Sequence, residues 1–199
     1  AWTKTYLGEK PKDGSALNSV KLYSKYGSQY TFMADGPLKN IPKPTIEFLR
    51  DTIKGNQHVY KIRITPNRKV NRYDIFVNND TPINNFKANG VKSVVFESNI
   101  ASKTSGKLVT YYVVDNLPLE MEFSISKNKK LDLELLESSF DLLSNPLLKV
   151  IPRKSGMIPM PFVLTDAVII REKIKPTPKS PHEIMARRNN YRTTDTTGV

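Results

Sequence analysis

Few side chains in this sequence could carry catalysis. It has two histidines, His58 and His182, and no cysteine, which excludes disulfide scaffolds, thiolate zinc sites and cysteine nucleophiles. A catalytic zinc needs several His, Asp or Glu ligands converging on one point and an open position for water. Neither histidine belongs to such a motif: His58 follows Gln57 at the end of a strand pattern, and His182 lies in a polar terminal stretch, so both read as surface histidines. No G-x-S-x-G elbow, G-x-G-x-x-G loop or Walker loop occurs, and the glycines stand singly at turns.

Glu120 and Glu122 resemble a carboxylate pair for acid and base work. They alternate with Leu119, Met121, Phe123 and Ile125, however, and so mark the solvent face of an amphipathic strand. Tyr23, Tyr26, Tyr30, Tyr111 and Tyr112 could stack on a sugar or on unpaired bases, but in strands of this pattern they read as core or half-buried residues. Trp2 is the single tryptophan, and its place at the start suits docking against a neighbouring segment. Asn79-Asp80-Thr81 is a glycosylation sequon in an expected turn.

A contact surface is more legible than an active site. Residues 152–162 combine Pro152, Pro159 and Pro161 with apolar Met157, Met160 and Phe162 beside Arg153 and Lys154. Prolines reduce the entropy lost on ordering, and apolar anchors beside cations make an interface. Arg153, Lys154, Met157, Met160, Phe162 and Trp2 are therefore the candidate interface residues. The competing reading folds the loop's side chains back to seal one end of the domain.

The elements that would position these residues are strands. Alternation with period two recurs from about residue 19 to 175, while apolar residues at helical spacing are scarce. A hairpin is expected over 19–34 around Gly27. Strands are expected at 45–53 and 57–65, joined by Lys54-Gly55-Asn56, then at Tyr73-Ile75-Val77 and at 84–88, with Asn89-Gly90 turning into 91–98. The apolar run 108–114 suggests a central strand buried on both faces. The alternating runs 119–126 and 131–135, across a Lys-Asn-Lys-Lys turn, suggest a hairpin, and 137–143 a short helical turn ended by Asn145-Pro146. A last strand is expected over 167–174.

Strands so spaced, with no helical crossovers between them, fit an all-β fold: a two-sheet antiparallel β-sandwich of roughly ten strands with a polar C-terminal tail. Residues 1–175 would form the domain, with 1–18 as lead-in, and 176–199 a flexible or partner-bound tail. The 199 residues suffice for a sizeable core. The formal net charge of +12 would attract anionic headgroups or an acidic partner, yet the basic residues are scattered and not gathered into one stripe, which argues against nucleic-acid binding as the reading of the charge. The longest apolar runs fall far short of the roughly 20 residues that span a bilayer. The opening Ala1-Trp2-Thr3, without Met or a signal-peptide core, is expected of a piece processed or cut from something longer.

Four segments carry a resemblance: Ala1-Trp2-Thr3-Lys4 leading to Leu7-Gly8-Glu9; Gly36-Pro37-Leu38 through Ile41-Pro42-Lys43-Pro44 to Phe48-Leu49-Arg50-Asp51-Thr52; Lys61-Ile62-Arg63-Ile64-Thr65; and Pro152-Arg153, then Met157-Ile158-Pro159-Met160-Pro161-Phe162 and Thr165-Asp166-Ala167. In this order they resemble the region after the transmembrane helices in multi-spanning zinc exopeptidases of the family-28 metallopeptidase type, a group that includes bacterial membrane-bound aminopeptidases and the endoplasmic-reticulum metallopeptidase. The chain departs from that pattern at residues 137–143, where relatives have an acidic or glutamine-containing stretch followed by Tyr-Gly-Leu-Pro.

The resemblance implies a non-catalytic, extracytoplasmic (periplasmic or lumenal) C-terminal accessory domain, tethered through its parent. Zinc and the catalytic residues would lie in a separate N-terminal domain, and the partners would be the parent's catalytic and membrane domains. No cofactor is expected in this chain. The alternative is a stand-alone binding module for a glycan or an anionic ligand, which would present exposed coplanar aromatics.

Overall fold

The structure, a computed structural model, describes residues 38–77, 81–92, 106–158 and 166–176. Among the described residues there are nine strands: β1 (Thr45–Lys54), β2 (Gln57–Thr65), β3 (Arg72–Val77), β4 (Asn84–Ala88), β5 (Val91–Lys92), β6 (Lys107–Tyr112), β7 (Leu119–Ser126), β8 (Leu133–Ser139) and β9 (Val168–Ile174). They form two antiparallel sheets, one of five strands in the order β1-β2-β7-β4-β5 and one of four in the order β6-β3-β8-β9. The β-sandwich expected from the alternation is therefore the fold.

The alternation decides which side chains meet. Tyr60, Ile62 and Ile64 of β2 lie opposite Phe123, Met121 and Leu119 of β7, and on the facing sheet Tyr73, Ile75 and Val77 of β3 lie opposite Glu137, Leu135 and Leu133 of β8. Successive residues point to opposite faces of a strand, so each row delivers its apolar members to one shared core. The turn at Gly55, with φ 58°, and the one at Asn89-Gly90, with φ 48° and 80°, fall where the sequence places them. Asn89 also accepts a hydrogen bond from the Glu120 amide at 2.7 Å and donates to the Tyr111 hydroxyl at 3.1 Å, tying one sheet to the other.

Three sequence expectations are corrected. Among the described strands β6 lies at the edge of its sheet, not at its centre. The apolar run over 108–114 buries Leu108 but leaves Tyr112 and Val114 exposed, because an apolar run marks two covered faces only where both faces are in fact covered. The strand buried along its whole length is β8, whose glutamates hid it. β7 and β8 do not form a hairpin: β7 pairs with β2 and β4, whereas β8 pairs with β3 and β9. The chain crosses between sheets after Ser126, and alternation specifies an inward face without specifying the sheet. Residues 137–143 form no helix; Glu137 to Ser139 complete β8, and turns follow.

The expected hairpin over 19–34, the continuation of β5 over 93–98, Asn79 and Asp80 of the sequon, and the tail from residue 177 lie outside the described residues.

Candidate functional site

Antiparallel register brings one end of four strands together. Arg72 at the start of β3 lies opposite Tyr112 at the end of β6 and Ser138 near the end of β8, and Ser138 lies opposite Ile169 near the start of β9. The connecting segments 66–71, 113–118, 140–158 and 166–167 therefore converge at this end. Asn71 holds three of them. Its amide donates to the Ser138 carbonyl at 2.9 Å, its carbonyl accepts from the Val113 amide at 3.0 Å, and its side-chain Oδ1 accepts from the Phe140 amide at 2.8 Å.

Beneath the convergence is a buried polar cluster. Arg68 Nε donates to Glu137 Oε1 at 2.9 Å, and Glu137 is fully buried. The other arm of Arg68 reaches the Ser139 hydroxyl and lies 3.9 Å from Asp141 Oδ1. Ser139 donates onward to Asp141 Oδ1 at 2.5 Å, and Asn145 Nδ2 donates to Asp141 Oδ2 at 2.9 Å. Burial pushes the Glu137 carboxyl above the ordinary carboxylate range, against the opposing pull of Arg68 and Tyr73. Burial likewise drives the Tyr73 phenol far up, with the charge of Glu137 adding to it. Arg68 Nη2 and Glu137 Oε2 are buried and find no hydrogen-bond partner among the described residues.

This cluster fastens the segment 140–158 to the sandwich. The Leu142 amide donates to the Asp166 carbonyl at 3.1 Å, and Arg153 pairs with the Asp166 carboxylate. Of the sequence-expected interface residues, Arg153 is thus a strut within the molecule, Lys154 is exposed and Met157 is half-buried. Trp2, Met160 and Phe162 lie outside the described residues.

The sequence reading missed a larger feature. Of the twelve exposed large hydrophobic residues among those described, eight fall on the converging segments and strand ends: Tyr112, Val114, Leu117, Phe140, Leu147, Ile151, Ile158 and Ile169. Singly such residues need no explanation, but their concentration at one end marks an interaction surface. The signal was present in the runs Val113-Val114 and Leu147-Leu148, but only the topology shows that they share an end.

The opposite end holds the second polar constellation. The Tyr60 hydroxyl lies 2.9 Å from His58 Nδ1, and His58 Nε2 lies 2.5 Å from Asp51 Oδ1. The ring of His58 stacks on that of Tyr60 with centroids 4.2 Å apart. His58 is therefore no ordinary surface histidine, which corrects the sequence reading; its partners come from β1 and from two residues along β2. Burial first, and Asp51 second, raise the Tyr60 phenol to about 12. A phenol held this high is not ionised at neutral pH, and the row Asp51, His58, Tyr60 fixes the histidine and tyrosine rings at the rim of the core.

Glu120 and Glu122 lie on the outer face of β7, as the alternation requires. Glu120 accepts from Arg63 Nη2 at 2.6 Å and is 3.0 Å from Lys61 Nζ, while Glu122 is 3.6 Å from Arg50. Hydrogen bonds from Arg63 and Lys61 hold the Glu120 carboxyl below its usual range. The pair is a cross-strand charge ladder on a wet face.

Among the described residues no group of three or more His, Asp or Glu side chains converges to hold a metal ion, and no helix is long and apolar enough to cross a membrane. Comparison of the chain with family models, curated proteins and solved structures gives no match.

Proposed function

We propose that this chain is a non-catalytic accessory β-sandwich that works by docking. Its docking surface is the end carrying Tyr112, Val114, Leu117, Phe140 and Ile169. One observation supports this reading above the others: exposed apolar side chains gather where Asn71 and the Arg68–Glu137 pair fasten the connecting segments. Aromatic anchors beside Arg72 are the residue types that carry binding energy at protein interfaces.

The resemblance of the four segments supports the identity of the partner. It would be the remainder of a membrane-anchored zinc exopeptidase, with the metal and catalytic residues in a separate domain and this one outside the cytoplasm. The +12 charge would aid encounter with an acidic surface.

Tyr112→Ser combined with Phe140→Ser should leave the fold intact, since both side chains are exposed. Binding of the chain to the rest of its parent, expressed separately and followed by interferometry, should weaken by at least about tenfold, as expected on losing interface anchors worth more than 1 kcal/mol. Unchanged affinity would place the interface elsewhere. Reading the coding sequence upstream of Ala1 tests the family: a zinc-ligand domain followed by membrane helices supports the proposal, and their absence removes it.

The isolated chain, dialysed after exposure to zinc, should retain no stoichiometric metal and should not cleave fluorogenic aminoacyl substrates. His58 and Asp51 already bond each other, and further protein ligands would have to come from carboxylates on other faces. One tightly held zinc per chain, with turnover abolished by a chelator, would overturn the non-catalytic reading.

A further inference from the structure

We propose that residues 147–158 rest on an anionic lipid surface, a contact separate from the protein-docking rim. Between residues 142 and 158 the sequence carries Lys149, Arg153 and Lys154 and no Asp or Glu. The acids on either side are turned to internal work. Asp141 accepts from Ser139 and Asn145, and Asp166 is paired with Arg153. Lys149 and Lys154 are exposed and form no ion pair among the described residues.

Exposed aliphatic residues alternate with these lysines. Leu147 and Ile151 bracket Lys149, and Ile158, 82% exposed, follows Lys154 across the turn closed by the Met157 amide donating to the Lys154 carbonyl at 3.1 Å. Left-handed backbone at Lys149, with φ 49°, and at Gly156, with φ 86°, gives the segment two sharp changes of direction. It therefore presents ammonium groups and aliphatic side chains along one short stretch.

The residue types favour lipid over protein. Protein interfaces are enriched in Tyr, Trp and Arg and depleted in Lys, and Leu is under-represented among their hot spots. The rim carries the exposed aromatics Tyr112 and Phe140, whereas the exposed side chains of residues 147–158 include Lys149 and Lys154 and no aromatic. At a bilayer surface, Leu and Ile enter the boundary between headgroups and acyl chains while lysine ammoniums stay with the phosphates. Each lysine near an anionic leaflet strengthens binding by about fivefold, so two lysines and three aliphatic residues give a weak, reversible contact. Such a contact would orient a domain already tethered to a membrane. That setting comes from the proposed parent, but the affinity itself belongs to this chain.

The full 199-residue chain is sedimented with vesicles of equal parts phosphatidylcholine and phosphatidylglycerol, and with phosphatidylcholine alone. Binding is expected to the first mixture only. Lys149→Gln with Lys154→Gln should lower partitioning by about tenfold or more. The matched pair Lys127→Gln with Lys129→Gln, at the opposite end, removes the same charge and should change it by less than about threefold, because a charge far from the surface contributes little. Ile151→Ser with Ile158→Ser leaves the charge unaltered and should also cost about tenfold, while Tyr112→Ser with Phe140→Ser should cost nothing.

Equal loss from the two lysine pairs would reduce the binding to diffuse attraction by a cationic chain and overturn the proposal. Full binding by the isoleucine variant would do the same. Absence of vesicle binding, with the 147–158 variants weakening attachment to the parent instead, would assign the segment to the protein interface.

Discussion

Phe123→Asp is expected to unfold the sandwich at neutral pH. Phe123 is 1% exposed, opposite Tyr60 in the β2–β7 register, with its ring centroid 5.6 Å from that of Tyr60 and 6.4 Å from that of Phe86. Truncating a buried aromatic ring costs about 3–5 kcal/mol in lost contacts and cavity. The carboxylate adds a further desolvation cost of several kcal/mol, as no Lys or Arg is among the buried residues described. Together these approach the whole stability of a typical domain, about 5–15 kcal/mol. Circular dichroism at neutral pH should therefore show no cooperative melt.

The neighbouring change, Glu122→Lys, reverses the face and the magnitude. It loses a loose pair with Arg50 and sets an ammonium between Lys61 and Lys87, the cross-strand partners of Glu122. Both effects are solvent-screened, so the cost should be about 0.5–1 kcal/mol. A lysine variant that melted lower than the aspartate variant would show that β7 is out by one residue, because a one-residue slip exchanges the two faces.

That register was legible from Leu119, Met121, Phe123 and Ile125 alone, as were β1, β2, β9 and the turns at Gly55 and Asn89. Each depends on spacing within a few residues. The misread elements depend on partners far along the chain. Glu134 and Glu137 made β8 look wet, yet Arg171 bonds Glu134 across 37 positions of sequence and Arg68 bonds Glu137 across 69. Two buried charges become tolerable only once those guanidiniums arrive, and periodicity carries no record of that.

Lys-Asn-Lys-Lys looked like a hairpin turn because both flanking strands alternate. The pairing of β7 with β2 and β4 is decided by the sandwich as a whole. The same distinction runs through the candidate site. The composition of residues 152–158 was visible in the sequence, whereas the apolar rim exists because four strand ends meet at Asn71. His58 was misjudged because alternation along one strand says nothing of neighbours on the next, although the turn at Gly55 sets Asp51 opposite Tyr60 and so within reach of the histidine.

The Arg68–Glu137 pair gives the second large effect, and pH separates its parts. In Arg68→Met the fully buried Glu137 loses the guanidinium that donates to it, and breaking a buried pair in this way costs about 3–5 kcal/mol. Glu137 already titrates above its ordinary 4.5 in the folded state. The native state thus holds a proton that the unfolded chain has released, and the group's contribution to stability, complete below 4.5, is lost as pH rises through the folded value.

Arg68 pulls that folded value down, so its removal moves the value up and extends the window of loss toward neutral pH. Arg68→Met should accordingly lie closest to wild type in acid and fall away from it as pH rises, by about 1.4 kcal/mol for each unit of added shift. Adding Glu137→Leu to Arg68→Met should restore most of the stability, because an apolar pair of similar volume is often as stable as a buried ion pair, and should abolish the extra pH dependence. Urea midpoints measured from acid to neutral pH decide the matter. If the deficit of Arg68→Met were the same at every pH, Glu137 would be ionised without Arg68. The arginine would then stabilise this end of the sandwich through its bonds to Ser139 and Asp141, which hold the segment that follows β8.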